Sequence, residues 1–226
     1  MNKPLFILAL AGSLSALPAL SQETDGDDLI SSALGLLTQS NGTALGSDAV
    51  EKGVDIAYSD VDVNDWDLTL PDGTTFTGDD GTGQRLKLGY RVVGASRDGT
   101  LATYGVGLEH ARITDDSGGF ETSYTGLYGD GGIGYVTDYG LDMTANLSLG
   151  IGAGKARVGN TELTGAPLSL GLGVGFGYSY DGFRAEVTYQ RRFVSSGASS
   201  RILAQEVTDE FSYDTTEIGG SLAFQF

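Results

Sequence analysis

The chain contains no cysteine, one histidine and one tryptophan among its 226 residues. Without cysteine it has neither a disulfide framework nor a thiolate metal site. Basic residues are also scarce, with 13 Lys and Arg against 30 Asp and Glu. The resulting net charge of −17 repels a phosphate backbone, so the sequence predicts no nucleic-acid partner. Only one long apolar run occurs, at the amino end, and no transmembrane helix is expected after it.

The amino-terminal run has the pattern of a secretory signal peptide. Lys3 precedes an apolar stretch over residues 5–20, and small residues lie just before Gln22. The sequence therefore predicts a signal peptide over residues 1–21. A membrane anchor is the alternative, but the stretch is short, contains Pro18 and is followed at once by polar residues. Because this segment holds one lysine and no acidic residue, the mature charge becomes −18.

Residues 141–153 and 168–180 alternate with strict period two. Apolar side chains occupy the odd positions of the first segment and the even positions of the second, with polar or small residues between them. Strands in soluble proteins are shorter, at about five or six residues. Transmembrane strands need about 9–11 residues and present one apolar face. The alternation therefore favours a membrane barrel over a soluble sheet.

The same alternation recurs along the chain and predicts eight strands, at about residues 53–64, 83–96, 100–114, 122–137, 140–158, 164–180, 182–195 and 211–226. Asp- and Gly-containing turns at residues 97–99, 138–139 and 181 alternate with longer connections. Outer-membrane barrels combine short periplasmic turns with longer external loops. The predicted fold class is all-β, an antiparallel up-and-down transmembrane barrel, with ten strands as the alternative count.

The carboxyl end resembles the signal that the barrel-assembly machinery reads, with apolar side chains at Leu222, Phe224 and Phe226. Together with the signal peptide and the eight strands, residues 53–226 resemble the small outer-membrane barrels of the OmpA/OmpX type. The resemblance implies a monomer in a Gram-negative outer membrane. Its implied partners are outer-membrane lipid, lipopolysaccharide and the assembly machinery. Residues 22–52 are expected to be a periplasmic segment, either a loose tail or a short helix that contacts the barrel.

Charged residues collect on the face of the strands that points away from lipid. An eight-stranded barrel is just wide enough to be filled by side chains, so these charges are expected to pair as a polar network. A narrow conducting path is the alternative, because inward glycines leave volume near strands five and six. The predicted network consists of Arg85, Lys87, Arg91, Glu109, Asp130, Asp142, Arg184, Glu186, Arg192 and Glu217.

Four basic residues lie near the outer ends of strands that run from the periplasm to the exterior. They are in phase with the lipid-facing side chains: Arg112, Lys155, Arg157 and Arg191. We expect them at the outer interface, where a charge costs only about 0–1 kcal/mol. Arginine suits phosphate because its planar fork donates two hydrogen bonds. The hypothesis is that they contact lipopolysaccharide phosphates, and the alternative is that they only snorkel into the headgroups.

The sequence offers little for catalysis or metal binding. Lipid-deacylating barrels place His and Ser two apart on one strand, but Arg112 stands two residues after His110. The acidic run that starts at Asp60 lacks the Gly and Glu of a calcium loop, with Pro71 in the Glu position. No enzyme, no metal and no cofactor are therefore expected. The predicted role is structural, supporting envelope integrity and presenting acidic loops, with a narrow channel or a surface adhesin as alternatives.

Overall fold

The structure, a computed structural model, describes residues 49–115, 119–180, 182–197 and 210–226. Its strands are β1 (Ala49–Thr69), β2 (Thr75–Gly78), β3 (Thr82–Ala95), β4 (Thr100–Thr114), β5 (Phe120–Val136), β6 (Leu141–Val158), β7 (Thr161–Gly165), β8 (Leu168–Tyr180), β9 (Phe183–Ser195) and β10 (Glu210–Gln225). The predicted signal peptide and residues 22–48 lie outside the described residues. No helix within the described ranges is long and apolar enough to cross a membrane.

Eight of the strands close into one antiparallel barrel. The order is β1, β3, β4, β5, β6, β8, β9 and β10, and β10 then pairs with β1. Following paired residues once round the barrel from Val54 leads back to β1 at Asp65, eleven residues further on. One of these is an extra residue at the bulge between Val63 and Asp65. The stagger is therefore ten residues, and such a stagger tilts the strands by about 35–45°.

The short turns all lie at one end of the barrel, which we call the turn end. Gly99 and Gly140 occupy two of these turns with φ of 83° and 81°, a left-handed conformation that glycine adopts at little cost. The turns predicted at residues 97–99 and 138–139 are thus confirmed, while residue 181 lies outside the described residues. The opposite end, which carries the long connections, is called the loop end. In outer-membrane barrels it faces the exterior.

Two short strands extend the loop end and were not predicted. β2 pairs with the last residues of β1, from Trp66 to Thr69. β7 pairs with the end of β6. The longer connections predicted between residues 64 and 83 and between residues 158 and 164 therefore contain strands. The predicted strand 164–180 instead breaks before Leu168, because Pro167 has no N–H to donate to a ladder. Eight strands form the barrel and two are appended to it.

β1 extends beyond its predicted bounds at both ends, and the bulge hides its continuation past residue 64. Before the bulge the odd residues Val61 and Val63 are buried, and after it the even residues Trp66 and Leu68 are buried. One extra residue shifts the period-two pattern by one position. Alternation along the sequence therefore ends at residue 64, although pairing with β10 continues to Thr69.

Candidate functional site

The loop end of the lumen is filled by apolar side chains, which we call the apolar cap. Trp66 from β1 stacks on Phe120 from β5, with ring centroids 4.4 Å apart and 4° between the planes. Leu68, Ile113 and Val194 are fully buried in the same cluster. The cap comprises Val61, Val63, Trp66, Leu68, Ile113, Phe120, Ala156, Leu163, Val194, Phe211 and Tyr213. The sequence predicted only charged and polar residues along the lumen, so this apolar layer was missed.

Below the apolar cap lie two arginines and two glutamates, the upper quartet: Arg85, Glu109, Arg192 and Glu217. Arg85 contacts Glu109 at 3.2 Å and Glu217 at 3.0 Å. Arg192 contacts the same two carboxylates at 3.6 and 3.2 Å. The four side chains are between 0 and 3% exposed. Each charge therefore faces two opposite charges, and the quartet is neutral.

Nearer the turn end lies a second group, the lower cluster: Asp55, Arg91, Asp130, Asp142, Arg184 and Glu186. Arg91 contacts Glu186 at 2.5 Å, Asp55 at 3.3 Å and Asp130 at 3.6 Å. Arg184 binds both carboxylate oxygens of Asp142 and lies 3.4 Å from Glu186. This arrangement has four carboxylates but only two guanidinium groups.

The structure places all ten residues of the predicted network on the inner face, and nine of them form ion pairs. Lys87 is the exception, because its amine forms no ion pair with a carboxylate among the described residues. Its Nζ instead lies 4.8 Å from the centroid of the Tyr128 ring. A cation over an aromatic face is stabilised by the ring quadrupole.

Asp55 was missed by the sequence prediction, although its side chain is only 2% exposed. A usable signal existed, because Asp55 alternates with the lipid-facing Val54, Ile56 and Tyr58. Neutral polar groups complete the lining. The Ser169 hydroxyl accepts a hydrogen bond from Arg192 at 3.0 Å, and the Thr144 hydroxyl donates to Glu186 at 3.3 Å. Such hydrogen bonds satisfy donors and acceptors of the buried charged groups that the ion pairs leave unused.

The outer wall of the barrel is apolar. Outward side chains on all eight barrel strands are well exposed, and several aromatic residues gather at the turn end, where Tyr178 and Tyr180 stack at 6.5 Å. The apolar belt includes Val54, Ile56, Tyr58, Leu86, Leu88, Leu108, Ile133, Tyr135, Leu141, Met143, Leu170, Leu172, Val174, Phe176, Tyr178, Tyr180, Phe183, Val187, Tyr189, Ile218, Leu222 and Phe224. A closed barrel with a charged lumen and an apolar wall leaves no unpaired sheet edge in lipid. The chain is an outer-membrane β-barrel.

Solved structures of similar shape are small outer-membrane proteins. The barrel is similar to Ail of Yersinia pestis, with 13% identity over 78% of this chain and 98% of that one, at a TM-score of 0.42. It is similar to Neisserial surface protein A, with 12% identity, 80% and 99% coverage and a TM-score of 0.45. It is also similar to OprG from Pseudomonas aeruginosa, with 15% identity over 80% of this chain and 98% of that one, at a TM-score of 0.39. No protein-family model and no curated protein sequence matches the chain. The assignment rests on this barrel's own closure and apolar wall.

The four predicted lipopolysaccharide-facing residues lie on the outside of the barrel near the loop end, but three already have acidic partners. Arg112 contacts Glu121 at 2.7 Å, and Lys155 contacts Glu162 at 3.3 Å. Arg191 binds Asp214 through two of its nitrogens. Arg157 lies opposite Glu121 and Glu162 in the strand register. The surplus of positive charge that the sequence suggested is therefore largely neutralised.

His110 faces outward on β4, where its Nδ1 lies 2.7 Å from the Thr125 hydroxyl on β5. This pairing across strands was not visible in the sequence. It gives the imidazole a hydrogen-bond partner, but a nucleophile also needs an orienting acid beyond the base. In the ranges that the structure describes, no three His, Asp or Glu side chains are placed to hold a metal ion. The absence of enzymatic activity stays a prediction.

Two residues of the predicted assembly signal, Leu222 and Phe224, lie on the closing strand β10, and Phe226 directly follows it. Leu222 and Phe224 face outward from β10, opposite Ile56 and Val54 of β1. The backbone N–H of Phe226 donates to the carbonyl of Lys52 at 2.7 Å. The carboxyl end therefore has a role in closing the barrel as well as any role in recognition.

Proposed function

We propose that this protein is a structural outer-membrane barrel with a closed lumen, which supports envelope integrity and presents an acidic surface outside. The observation that carries the proposal is the apolar cap over the upper quartet. Together they fill the lumen with buried side chains over its outer half. Hydration of such an apolar layer is unfavourable, so ions have no continuous aqueous path.

Planar-bilayer recording tests the closed lumen. The refolded mature chain is expected to produce no steady single-channel steps in concentrated potassium chloride. A double variant that empties both layers, Phe120→Ala with Arg85→Ala, serves as the positive comparison, because it removes side chains from the cap and the quartet. Large steady steps in the unmodified protein would overturn the proposal and favour the narrow channel.

A surface-contact role is the second candidate, and the β1–β2 hairpin favours it. Residues 60–80 contain seven aspartates and no basic residue. Such a segment at the loop end attracts basic rather than acidic partners. If it mediates contact, replacing Asp72, Asp79 and Asp80 by Asn should abolish adhesion of cells that display the protein, while an equal number of Asp→Asn changes elsewhere on the loops should not.

We also propose that Arg112, Lys155, Arg157 and Arg191 contact lipopolysaccharide. Since three of them are paired, phosphate has to share these cations with Glu121, Glu162 and Asp214 rather than find them free. Substituting all four by Gln should reduce the thermal stabilisation that added lipopolysaccharide gives. Equal stabilisation of variant and parent would leave only snorkelling. Recognition of Phe226 by the assembly machinery and a monomeric state remain part of this proposal.

A further inference from the structure

The lower cluster holds more negative charge than its own cations neutralise. Asp55, Asp130, Asp142 and Glu186 supply four carboxylates, against two guanidinium groups. Lys87 is a further inward-facing cation, and it lies over the Tyr128 ring. Counting its charge still leaves one carboxylate in excess. A buried charge without a partner is strongly destabilising, so the cluster needs another positive charge.

One carboxylate oxygen in the cluster is buried without a partner. Oδ1 of Asp55 has no hydrogen-bond donor, and the side chain is 2% exposed. The other oxygen, Oδ2, lies 3.3 Å from Nη2 of Arg91, and Asp130 contacts that same nitrogen at 3.6 Å. Two carboxylates therefore share one nitrogen. Buried acceptors are nearly always satisfied in folded proteins, so Oδ1 marks a place for a ligand.

Neutral oxygens face the lumen at the same level, around two inward glycines. A Cβ added at Gly132 would come within 2.2 Å of Asn146 Oδ1 and 2.7 Å of Thr103 Oγ1. A Cβ added at Gly105 would come within 2.6 Å of Asp130 Oδ1. The space that a side chain would take at these glycines is therefore occupied by amide, hydroxyl and carboxylate oxygens. Oxygen atoms of this kind replace the hydration shell of alkali cations.

Small ions reach the lower cluster from the turn end. Arg91 and Asp130 are its most exposed members, at 13 and 14% of their side-chain surface. The opposite end is closed by the upper quartet and the apolar cap. Exchange with solvent therefore occurs on the periplasmic side, where salt is always present.

We propose that the lower cluster binds one monovalent metal cation, Na⁺ or K⁺, against Oδ1 of Asp55. A divalent ion is disfavoured, because the described carboxylates do not converge as a metal-ligand set. A monovalent ion needs fewer charged ligands and can take the neutral oxygens and water as the remainder. The bound ion removes the charge excess and satisfies the orphaned oxygen. If the cation site is absent, the proposal of a closed lumen still holds.

Thermal unfolding in detergent micelles tests the site. The refolded mature chain is measured in sodium, potassium and choline chloride at equal ionic strength. Choline screens charge equally, but the methyl groups on its nitrogen prevent close coordination by oxygen atoms. We expect the Tm to be about 2–4 °C higher in sodium or potassium chloride and to saturate with concentration. Asp55→Asn should lose this difference, whereas Asp67→Asn, which removes an exposed carboxylate at the loop end, should keep it.

A direct measurement covers the case in which Asp55→Asn fails to fold. Crystals of the unmodified protein soaked in thallium or rubidium salts should show an anomalous peak in contact with Asp55. Equal Tm values in the three salts, a cation dependence that survives in folded Asp55→Asn, or a lumen without an anomalous peak would each overturn the proposal. In that event protonation of a carboxylate balances the charge instead.

Discussion

The upper quartet and the lower cluster occupy the same lumen and both pair arginines with carboxylates, but they balance charge differently. In the quartet each arginine contacts both glutamates, at 3.0–3.6 Å. In the lower cluster Arg91 alone is divided among three carboxylates. The quartet lies beneath an apolar layer and has to neutralise itself. The lower cluster lies near the turn end, where solvent ions can complete the balance.

Removing one cation from the quartet should give the largest effect. Arg85→Met leaves Glu109 and Glu217 with Arg192 alone, so one buried negative charge loses its partner. We expect a loss of about 3–5 kcal/mol in the free energy of unfolding, measured by urea titration in detergent. The double variant Arg85→Met with Glu217→Gln should recover much of this loss, because it restores neutrality.

The lower cluster provides the matched comparison for that experiment. Asp130→Asn removes a carboxylate from the side that has an excess, and its ion pair is long and partly exposed. The substitution should lower the free energy of unfolding by less than about 1 kcal/mol. A loss as large as that of Arg85→Met would show that both layers depend equally on internal pairing, and the contrast between them would fail.

An intermediate effect is expected from the apolar cap. Phe120→Ala removes the ring that stacks on Trp66 at 4.4 Å. The cost should be about 3 kcal/mol, at the low end for a buried Phe, because Trp66 can relax into the space. Single-channel recordings should stay silent, since the quartet still blocks the lumen. Steady conductance in this variant would assign closure to the cap alone.

The smallest effect concerns a turn outside the membrane. Hydrogen bonds from the Ser96 hydroxyl and the Thr100 N–H hold the pKa of Asp98 below its ordinary value of 3.8. A lowered pKa in the folded state contributes stability above the ordinary value, and this is lost as pH falls through the lowered pKa. Asp98→Asn should therefore be less stable than the parent at pH 7 and equal to it in strong acid. A constant difference at all pH values would exclude this linkage.

Strand positions and the inward charges could be predicted from the sequence because both follow from period-two alternation. Arg85, Glu109 and Arg192 stand out as charges in otherwise small or polar inward positions. The pairing pattern could not be predicted, since it depends on the stagger, which brings Glu217 of β10 to Arg85 of β3. The apolar cap was missed for a different reason. Trp66, Leu68, Phe120 and Leu163 lie beyond the bulge or in segments that looked like loops, so alternation does not reveal their burial. The other members lie within predicted strands on the same face as the charges, and that face was predicted to be polar along its whole length.

The bulge at residue 64 also constrains how this segment can change in length. It exchanges the inner and outer faces of β1 between the membrane wall and the external hairpin. A change of two residues between the bulge and the hairpin preserves which side chains meet the cap. A change of one residue exchanges Trp66 and Leu68 with Asp65 and Asp67, placing carboxylates in an apolar layer. Insertions or deletions of an even number of residues in this part of the chain are therefore compatible with the cap, whereas those of an odd number are not.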